Sequence, residues 1–407
     1  MLQNDDNSST KTSTACKSEI ESVALQKIRR AITVDNSYEL QQLLNENYVI
    51  DINAQYETLG NSTILMIACS IGSLECVKVL IDNDADVNKQ CPHDKNALTS
   101  ACMSGNLELL HYLFDHKLVY DDVILKACFV SVLSQTSLPR LEVIKVLLSH
   151  VQDINYRRNQ TPYTFLYFAC RSGWLDLVKL LFELGAHRNL FDDSRDGVLL
   201  VASARGYLNI VKLLIEYNIS ESISIQHGVN AAYCEACSKH YYDIARYLVE
   251  HGIDVNAVNM YGYCPLEIAI YCCRFELVEL LIEKGADIHV PNSLGGSMLN
   301  LACLYDDNLA IAQVLLDYGI DVYLANTTTG QTALVIAALA KRTEFVKLLL
   351  ERGADVTRID LEGLTVLDKL NRLSWNGESD AIVAGEITEL CMQYIDCNRP
   401  GAKPLLK

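Results

Sequence analysis

Cysteine-containing segments are the first place to look for chemistry in this chain of 407 residues, which contains fifteen cysteines. Cys234 and Cys237 form a C-x-x-C pair. Thiolates and imidazoles are preferred zinc ligands, but a single pair on a helix is weak evidence, because a zinc site needs a second pair that converges with the first. Further candidate ligands follow this pair: His240, Cys264, Cys272 and Cys273.

Six cysteines, one of them from this pair, recur at one equivalent position, directly after an alanine in an apolar segment. They suggest a ladder of thiols for metal or redox chemistry: Cys69, Cys102, Cys128, Cys170, Cys237 and Cys303. A cysteine in an apolar helix more often behaves as a small buried hydrophobe, so we interpret the ladder as packing residues. Secreted disulfide scaffolds are short and cysteine-dense, so these thiols favour a reducing compartment.

Sequence signatures of catalysis are otherwise missing. The sequence has no Gly-rich phosphate loop, no Gly-x-Ser-x-Gly elbow and no His-Glu-x-x-His helix. The Asp pairs that begin at 121, 192 and 306 fall at predicted helix ends or turns, where solvated carboxylates are common. We therefore expect a protein that is not an enzyme and needs no cofactor or metal, and keep an enzyme or zinc protein as the second alternative.

Charge and hydropathy narrow the classes of partner. The net charge of −17 argues against nucleic acid and favours a protein partner, for which a basic surface is one option. Residues 1–18 are rich in Ser, Thr, Asn and Asp and do not resemble a secretory signal, so a disordered lead-in is expected there. No run approaches the roughly 18 apolar residues of a membrane span. The sequence predicts a cytoplasmic protein, with the nucleus as a second possibility, and no membrane insertion.

A repeat unit explains where the cysteines sit. Gly252, Gly285, Gly319 and Gly353 are spaced by 33, 34 and 34 residues, and each follows a segment with apolar residues three and four apart. A second helical segment, ending in Ala and a small residue, precedes each of these. Two short helices joined by a tight turn form a hairpin, whose apolar faces are buried only when neighbouring hairpins stack.

This pattern resembles the ankyrin repeat family, whose signature is Thr-Pro-Leu-His-x-Ala. The resemblance covers residues 23 to 395 in about eleven units, and implies an all-α solenoid with short β-turn or hairpin connections. The expected divisions are a lead-in at 1–18, the solenoid at 19–397 with divergent terminal capping units, and a tail at 398–407. A segment at 129–140 interrupts one unit and predicts either a longer helix or a protruding loop.

The chain departs from the family signature in two ways. Pro265 is the clear survivor of the Thr-Pro opening. The signature His is replaced in the internal units, for example by Met66, Thr99, Cys234, Glu267 and Val335. We expect these replacements to remove hydrogen bonds between neighbouring units and to make the array less rigid.

The resemblance also implies a binding mode. In similar proteins, the turn before the first helix and the exposed face of that helix line a concave groove that meets protein partners. The partner-binding candidates at these positions are His93, Lys95, Met103, Tyr163, Arg171, Arg205, Lys239, Met260, Tyr261, Tyr263, Tyr271, Leu294 and Tyr305, with Asp193, Asp196, Asn230 and Leu304 beside them. Tyrosine and methionine favour interfaces. We expect a monomeric scaffold or adaptor.

Two further likenesses are carried over from related proteins. Asn88 and Asn256 match the Leu-x5-Asp-Val-Asn pattern that an asparaginyl hydroxylase modifies, although such residues are also ordinary turn formers. Ile387, Cys391 and Ile395 resemble the start of a box that recruits ubiquitin ligases. A ligase adaptor is therefore the first alternative function, and a helix that caps the last repeat explains the same residues.

Overall fold

The computed structural model describes most of the chain. Its described residues are 8–46, 50–92, 95–116, 118–134, 141–157, 163–186, 197–217, 223–251, 253–259, 261–305, 308–372 and 378–397. His93, Met260, Asp193 and Asp196 lie outside these ranges. The chain divides into two compact units, Met1–His187 and Arg188–Lys407.

Within the described residues, the secondary structure consists of 22 α-helices, one short 3-10 helix and isolated bridges, with no strand. The helices of the first unit are α1 (Ser8–Thr33), α2 (Ser37–Asn45), α3 (Ile64–Ile71), α4 (Leu74–Asp82), α5 (Ala97–Ser104), α6 (Leu107–Asp115), α7 (Asp122–Leu133), α8 (Leu141–Ser149), α9 (Phe165–Ser172) and α10 (Leu175–Glu183), with the 3-10 helix at Glu57–Leu59.

The helices of the second unit are α11 (Val198–Ala204), α12 (Leu208–Tyr217), α13 (Ile223–Ser238), α14 (Tyr242–His251), α15 (Pro265–Tyr271), α16 (Phe275–Glu283), α17 (Met298–Ala302), α18 (Leu309–Asp317), α19 (Ala333–Leu339), α20 (Thr343–Glu351), α21 (Val366–Arg372) and α22 (Glu378–Cys397). In both units together the described helices form eleven successive pairs, which confirms the predicted repeat architecture.

Local sequence sets the ends of the first helix in a pair. Thr63 caps the N-terminus of α3 by accepting a hydrogen bond from the Met66 backbone N–H. Gly72 follows the last residue of α3 with φ near +84°, where its N–H bonds to the Ala68 carbonyl. A side chain at Gly72 would also crowd the Ser104 Cβ at 3.1 Å. The same polar start and glycine stop recur in α5 and α9.

Packing follows the same repeat in each unit. In the first unit, α3 packs on α4 within its pair and on α5 of the next pair. In the second unit, α15 packs on α16 and α17 in the same way. In α16, Leu277, Val278 and Leu281 are buried at helical spacing, so one face enters the core and the other stays in solvent.

Three short connections between pairs contain isolated antiparallel bridges. These join Tyr56 to Ser62, Cys91 to Lys95, and Ala325 to Thr332. The bridges confirm the β-turn and hairpin connections that the repeat predicts. Each places a projecting turn immediately before the first helix of a pair.

Two expectations about local structure need comment. Helix α1 begins at Ser8, so the structure has helical backbone where a disordered lead-in was expected; Ser8–Thr33 contains no Pro or Gly to interrupt it. The segment at 129–140 partly lengthens a helix, because α7 has 12 residues whereas α5 and α9 have 8. Residues 135–140 lie outside the described ranges. No helix in the described part of the chain is long and apolar enough to span a membrane.

Candidate protein-interaction surface

The projecting turns of the second unit are fixed by asparagine side chains at equivalent positions. The Asn259 carboxamide oxygen accepts the backbone N–H groups of Tyr261 at 2.9 Å and Tyr263 at 3.0 Å. Asn292 holds Leu294 and Gly296 at 2.9 and 3.0 Å. This pattern is the Asx-type turn that asparagine favours. It fixes the turn conformation independently of any partner.

The turns of neighbouring repeats are also joined by backbone hydrogen bonds. The Thr327 N–H donates to the Gly295 carbonyl at 2.8 Å, and the Leu361 N–H donates to the Thr329 carbonyl at 3.2 Å. The Asn326 side chain adds a bond to the Leu294 carbonyl at 3.0 Å. The turns from Asn292 onward therefore form a linked ridge rather than separate loops.

Two aromatic side chains meet at the C-terminal ends of adjacent first helices. Tyr271 is the last residue of α15, and Tyr305 follows α17. Their rings lie 5.5 Å apart between centroids in an edge-to-face arrangement, which aromatic pairs favour. The contact places two repeats on one continuous surface.

We call this surface the tyrosine face. Its members are Tyr261, Tyr263, Tyr271, Leu294, Leu304 and Tyr305. Five are exposed, with relative accessibilities of 67% for Tyr261, 41% for Tyr263, 63% for Tyr271, 62% for Leu294 and 40% for Leu304. Tyr305 is half-buried. Groups of exposed apolar side chains are typical of interaction surfaces, and the role of these residues in binding stays a prediction.

The other predicted binding residues are spread over both units. Lys95 is half-buried, and its ammonium group bonds to the Ser62 hydroxyl at 2.5 Å. Tyr163 is exposed beside Tyr167, with ring centroids 4.8 Å apart. Exposed side chains at or near the ends of first helices are Met103, Arg171, Arg205 and Lys239. The contacts that build the tyrosine face do not involve these residues.

Asn230 corrects the sequence prediction. It is buried rather than exposed, and its amide donates to the Ala257 carbonyl at 3.0 Å. Helix α13 has 16 residues and already includes position 230, whereas the equivalent positions Ser62 and Lys95 lie in the turns before α3 and α5.

The expected loss of hydrogen bonds between repeats is wrong at two of the replaced positions. The buried Glu267 carboxylate accepts the Ser293 backbone N–H at 3.0 Å and its hydroxyl at 2.5 Å, in the next repeat. The Asn259 amide reaches the Cys234 sulfur at 3.2 Å. Different side chains therefore supply these links between repeats. The sequence signal that could have indicated them is a polar side chain at the signature-histidine position together with a polar turn in the next repeat.

The cysteine ladder is buried core, as its interpretation as packing residues predicts. All six ladder cysteines are buried. Burial raises the pKa of Cys170 and Cys303 well above the usual thiol range, and it raises the pKa of Cys234 to about 12. These thiols stay protonated at neutral pH and are poor nucleophiles or ligands. Among the described residues, no group of three or more Cys, His, Asp or Glu side chains is placed to hold a metal ion.

The two candidate hydroxylation sites both link one repeat to the next. Asn256 donates its amide to the Gly285 carbonyl at 3.0 Å and accepts the Asp287 N–H at 2.8 Å. Asn88 accepts the Val119 N–H at 2.8 Å. Asn53 makes the same two-way link in the first unit. These contacts give the asparagines a structural role as turn residues, and their hydroxylation stays a prediction.

The C-terminal helix covers the last repeat. Helix α22 packs on α20 and α21, and Ile387 and Cys391 are fully buried there, whereas Ile395 is half-buried. Two of the three residues that resemble a ligase-recruiting box are therefore already buried against other helices of this chain. Their burial supports the cap interpretation.

Known proteins share this repeat. A family model described as ankyrin repeats (3 copies) matches residues 29–123, 135–227, 221–292 and 289–360. The human transient receptor potential cation channel subfamily A member 1 is 26% identical over 274 residues, which is 65% of this chain and 21% of the channel.

Two other relatives show how widely the repeat is shared. Putative ankyrin repeat protein L371 of Acanthamoeba polyphaga mimivirus is 24% identical over 294 residues, which is 68% of this chain and 35% of that protein. Ankyrin repeat and KH domain-containing protein mask-1 of Caenorhabditis elegans is 32% identical over 148 residues, 36% of this chain and 6% of that protein. The matches thus span about a third or less of these relatives.

Proposed function

Because the chain belongs to the ankyrin repeat family, we propose that it is a non-enzymatic scaffold or adaptor that recognises a protein partner through the turns and first helices of its repeats. The three relatives carry different names, and the repeat array is the part that this chain shares with them. Binding by the array itself is the function common to such arrays. The buried, protonated thiols suit a reducing compartment such as the cytoplasm or nucleus.

The tyrosine face is the observation that carries this proposal. Tyrosine and leucine bring large contact area at a small cost in side-chain entropy, and the asparagine-fixed turns are already ordered before a partner arrives. Exposed apolar groups of this size are unfavourable in water unless another surface covers them. A protein partner supplies that cover.

A comparison of two triple variants tests the proposal. One replaces Tyr261, Tyr263 and Tyr271 by Ala; the control replaces three exposed tyrosines on or next to second helices, which are Tyr38, Tyr217 and Tyr318. Both variants should keep the parent's circular dichroism, because every replaced ring is exposed. In pull-downs read by mass spectrometry, we expect a protein retained by the parent and the control to be lost from the first variant. Identical captures by all three would contradict the proposal.

A further inference from the structure

Charge is unevenly distributed between the first and second helices of three consecutive repeats, α15 to α20. The turns and first helices at 257–273, 290–305 and 324–340 together contain one charged side chain, Glu267. The whole chain is 21% charged, so segments of this combined length would ordinarily carry about ten. The net charge of the chain therefore says little about the tyrosine face.

The carboxylates of these repeats lie elsewhere. Exposed acidic side chains occupy the second helices and the turns after them: Glu276, Glu283, Asp287, Asp317, Asp321, Glu344, Glu351 and Asp355. Two of them form ion pairs, Glu344 with Lys347 and Asp317 with Arg352. A charged partner would be drawn to that side of the repeats rather than to the tyrosine face. Asp306 and Asp307, which follow Tyr305, are outside the described residues.

The charged groups at the borders of the tyrosine face already have partners. Glu267 is buried and accepts two hydrogen bonds from Ser293. The Arg274 guanidinium lies 3.8 Å from the centre of the Tyr242 ring. Lys341 forms an ion pair with Asp380, and Arg342 donates to the Leu304 carbonyl at 3.3 Å. A charged residue of a partner placed on the tyrosine face would lose hydration and gain no opposite charge from the described residues of that face.

From this neutrality we infer that the tyrosine face binds an uncharged polypeptide segment with aliphatic or aromatic side chains. The inference rests on the proposed function and specifies the chemistry of its partner. Tyr261 and Leu294 provide apolar contact on successive turns, and the Tyr271–Tyr305 pair provides it at the C-terminal ends of successive first helices. Burial of apolar area, rather than ion pairing, drives this association.

A display library of random short peptides, selected on the full chain, tests the inference. We expect an uncharged, apolar consensus whose binding is lost on the triple Tyr261, Tyr263 and Tyr271 to Ala variant. The affinity of a consensus peptide should change less than about twofold between about 0.05 and 0.5 M salt, because no ion pair is screened. A Lys- or Arg-rich consensus that elutes with salt would overturn the inference while leaving protein binding in place. Failure to enrich any sequence would count against the proposed function as well.

A negative charge introduced on the tyrosine face gives a second test, because it should weaken the binding of an uncharged peptide and strengthen the binding of a basic one. Leu294→Glu should weaken the uncharged consensus peptide by roughly tenfold or more, because it removes apolar contact and adds a carboxylate that must be desolvated. A basic ligand would bind this variant more tightly, which would overturn the inference. Gln313→Glu, on the exposed side of α18, adds the same charge off the face and should leave affinity unchanged.

Discussion

At the scale of single residues, the links made from the signature-histidine position to the next repeat use different chemistry in different repeats. Glu267 uses a carboxylate to hold Ser293, whereas Asn300 uses an amide to reach the Gln331 carbonyl at 3.2 Å. The family signature has a histidine at these positions, so the sequence showed only that the histidine is replaced. The hydrogen-bond partner of the replacing side chain depends on where the following turn lies in three dimensions. Residue spacing does not give that placement.

Glu267→Ala should destabilise the second unit because it removes a buried carboxylate that accepts two hydrogen bonds from Ser293. We expect a loss of about 1–3 kcal/mol in the free energy of unfolding, measured by urea denaturation. Glu267→Gln retains an acceptor oxygen and should lose less. Glu276→Ala removes an exposed carboxylate from the first turn of α16 and should change stability by less than about 0.5 kcal/mol. Equal effects of the alanine variants at 267 and 276 would refute a linking role for Glu267.

At the scale of elements, the sequence predicted the helix pairs well because their signals are local. Apolar spacing, a polar residue before the helix and glycine after it are all contained within a few residues, as Thr63 and Gly72 illustrate for α3. The start of α1 was not predicted, and the sequence left open whether the segment at 129–140 lengthens α7 or forms a loop, since a polar or inserted segment can extend a helix without a distinct signal. The backbone bonds between turns were also missed, because they join residues a whole repeat apart.

The ridge of linked turns should be sensitive to a side chain at Gly330. This residue has φ near +70°, and an added Cβ would lie 2.6 Å from the Leu361 backbone nitrogen. Gly319 has φ near +86° but open space around it, so it is a matched control. Gly319→Ala should lower the free energy of unfolding by about 1–2 kcal/mol, because of backbone conformation alone. Gly330→Ala should lower it by at least about 1 kcal/mol more than Gly319→Ala does. Unfolding transitions of equal midpoint would show that the contact between turns is not tight.

The cap formed by α22 should stabilise the last repeats. Ile387→Ala removes a fully buried side chain and is expected to cost about 2–4 kcal/mol, whereas Ile382→Ala, at an exposed position of the same helix, should cost little. Hydrogen exchange should show faster exchange of α20 and α21 in the first variant and unchanged exchange in α3–α6 of the first unit. Equal exchange in both variants would mean that α22 is held loosely and that Ile387 is available for another partner.

At the scale of the whole molecule, the net charge differs from the local charge of the tyrosine face. The net charge of −17 suggested a basic partner. The named residues of the tyrosine face are uncharged, because the described acidic residues of these repeats lie mainly on the second helices and on the turns that follow those helices. The sequence identified Tyr261, Tyr263 and Tyr271 as candidates from the repeat register. It could not show that Tyr271 contacts Tyr305 or that Asn230 is buried, since both depend on packing between helices.

The repeated thiol position makes stability depend on pH in the alkaline range. Burial raises the pKa of Cys170 in the first unit and of Cys303 in the second far above the value of about 8.5 in an unfolded chain. Below that value both states are protonated and stability is fully present. Above it the unfolded state releases protons that the native state keeps, so stability falls as pH rises.

We therefore expect urea midpoints to drop between about pH 8 and pH 10, with each buried thiol contributing about 1.4 kcal/mol per pH unit once the unfolded thiol is ionised. Cys170→Ala should reduce the pH dependence of the first unit, and Cys303→Ala that of the second. Cys397→Ala, at an exposed position, should leave the dependence unchanged. If neither buried variant flattens the profile, other groups such as Tyr233, whose pKa is also raised by burial, cause the alkaline loss. A flattened profile would instead establish that the ladder cysteines stabilise the fold as neutral, packed thiols. Partner binding would then be expected from surface residues rather than from these thiols.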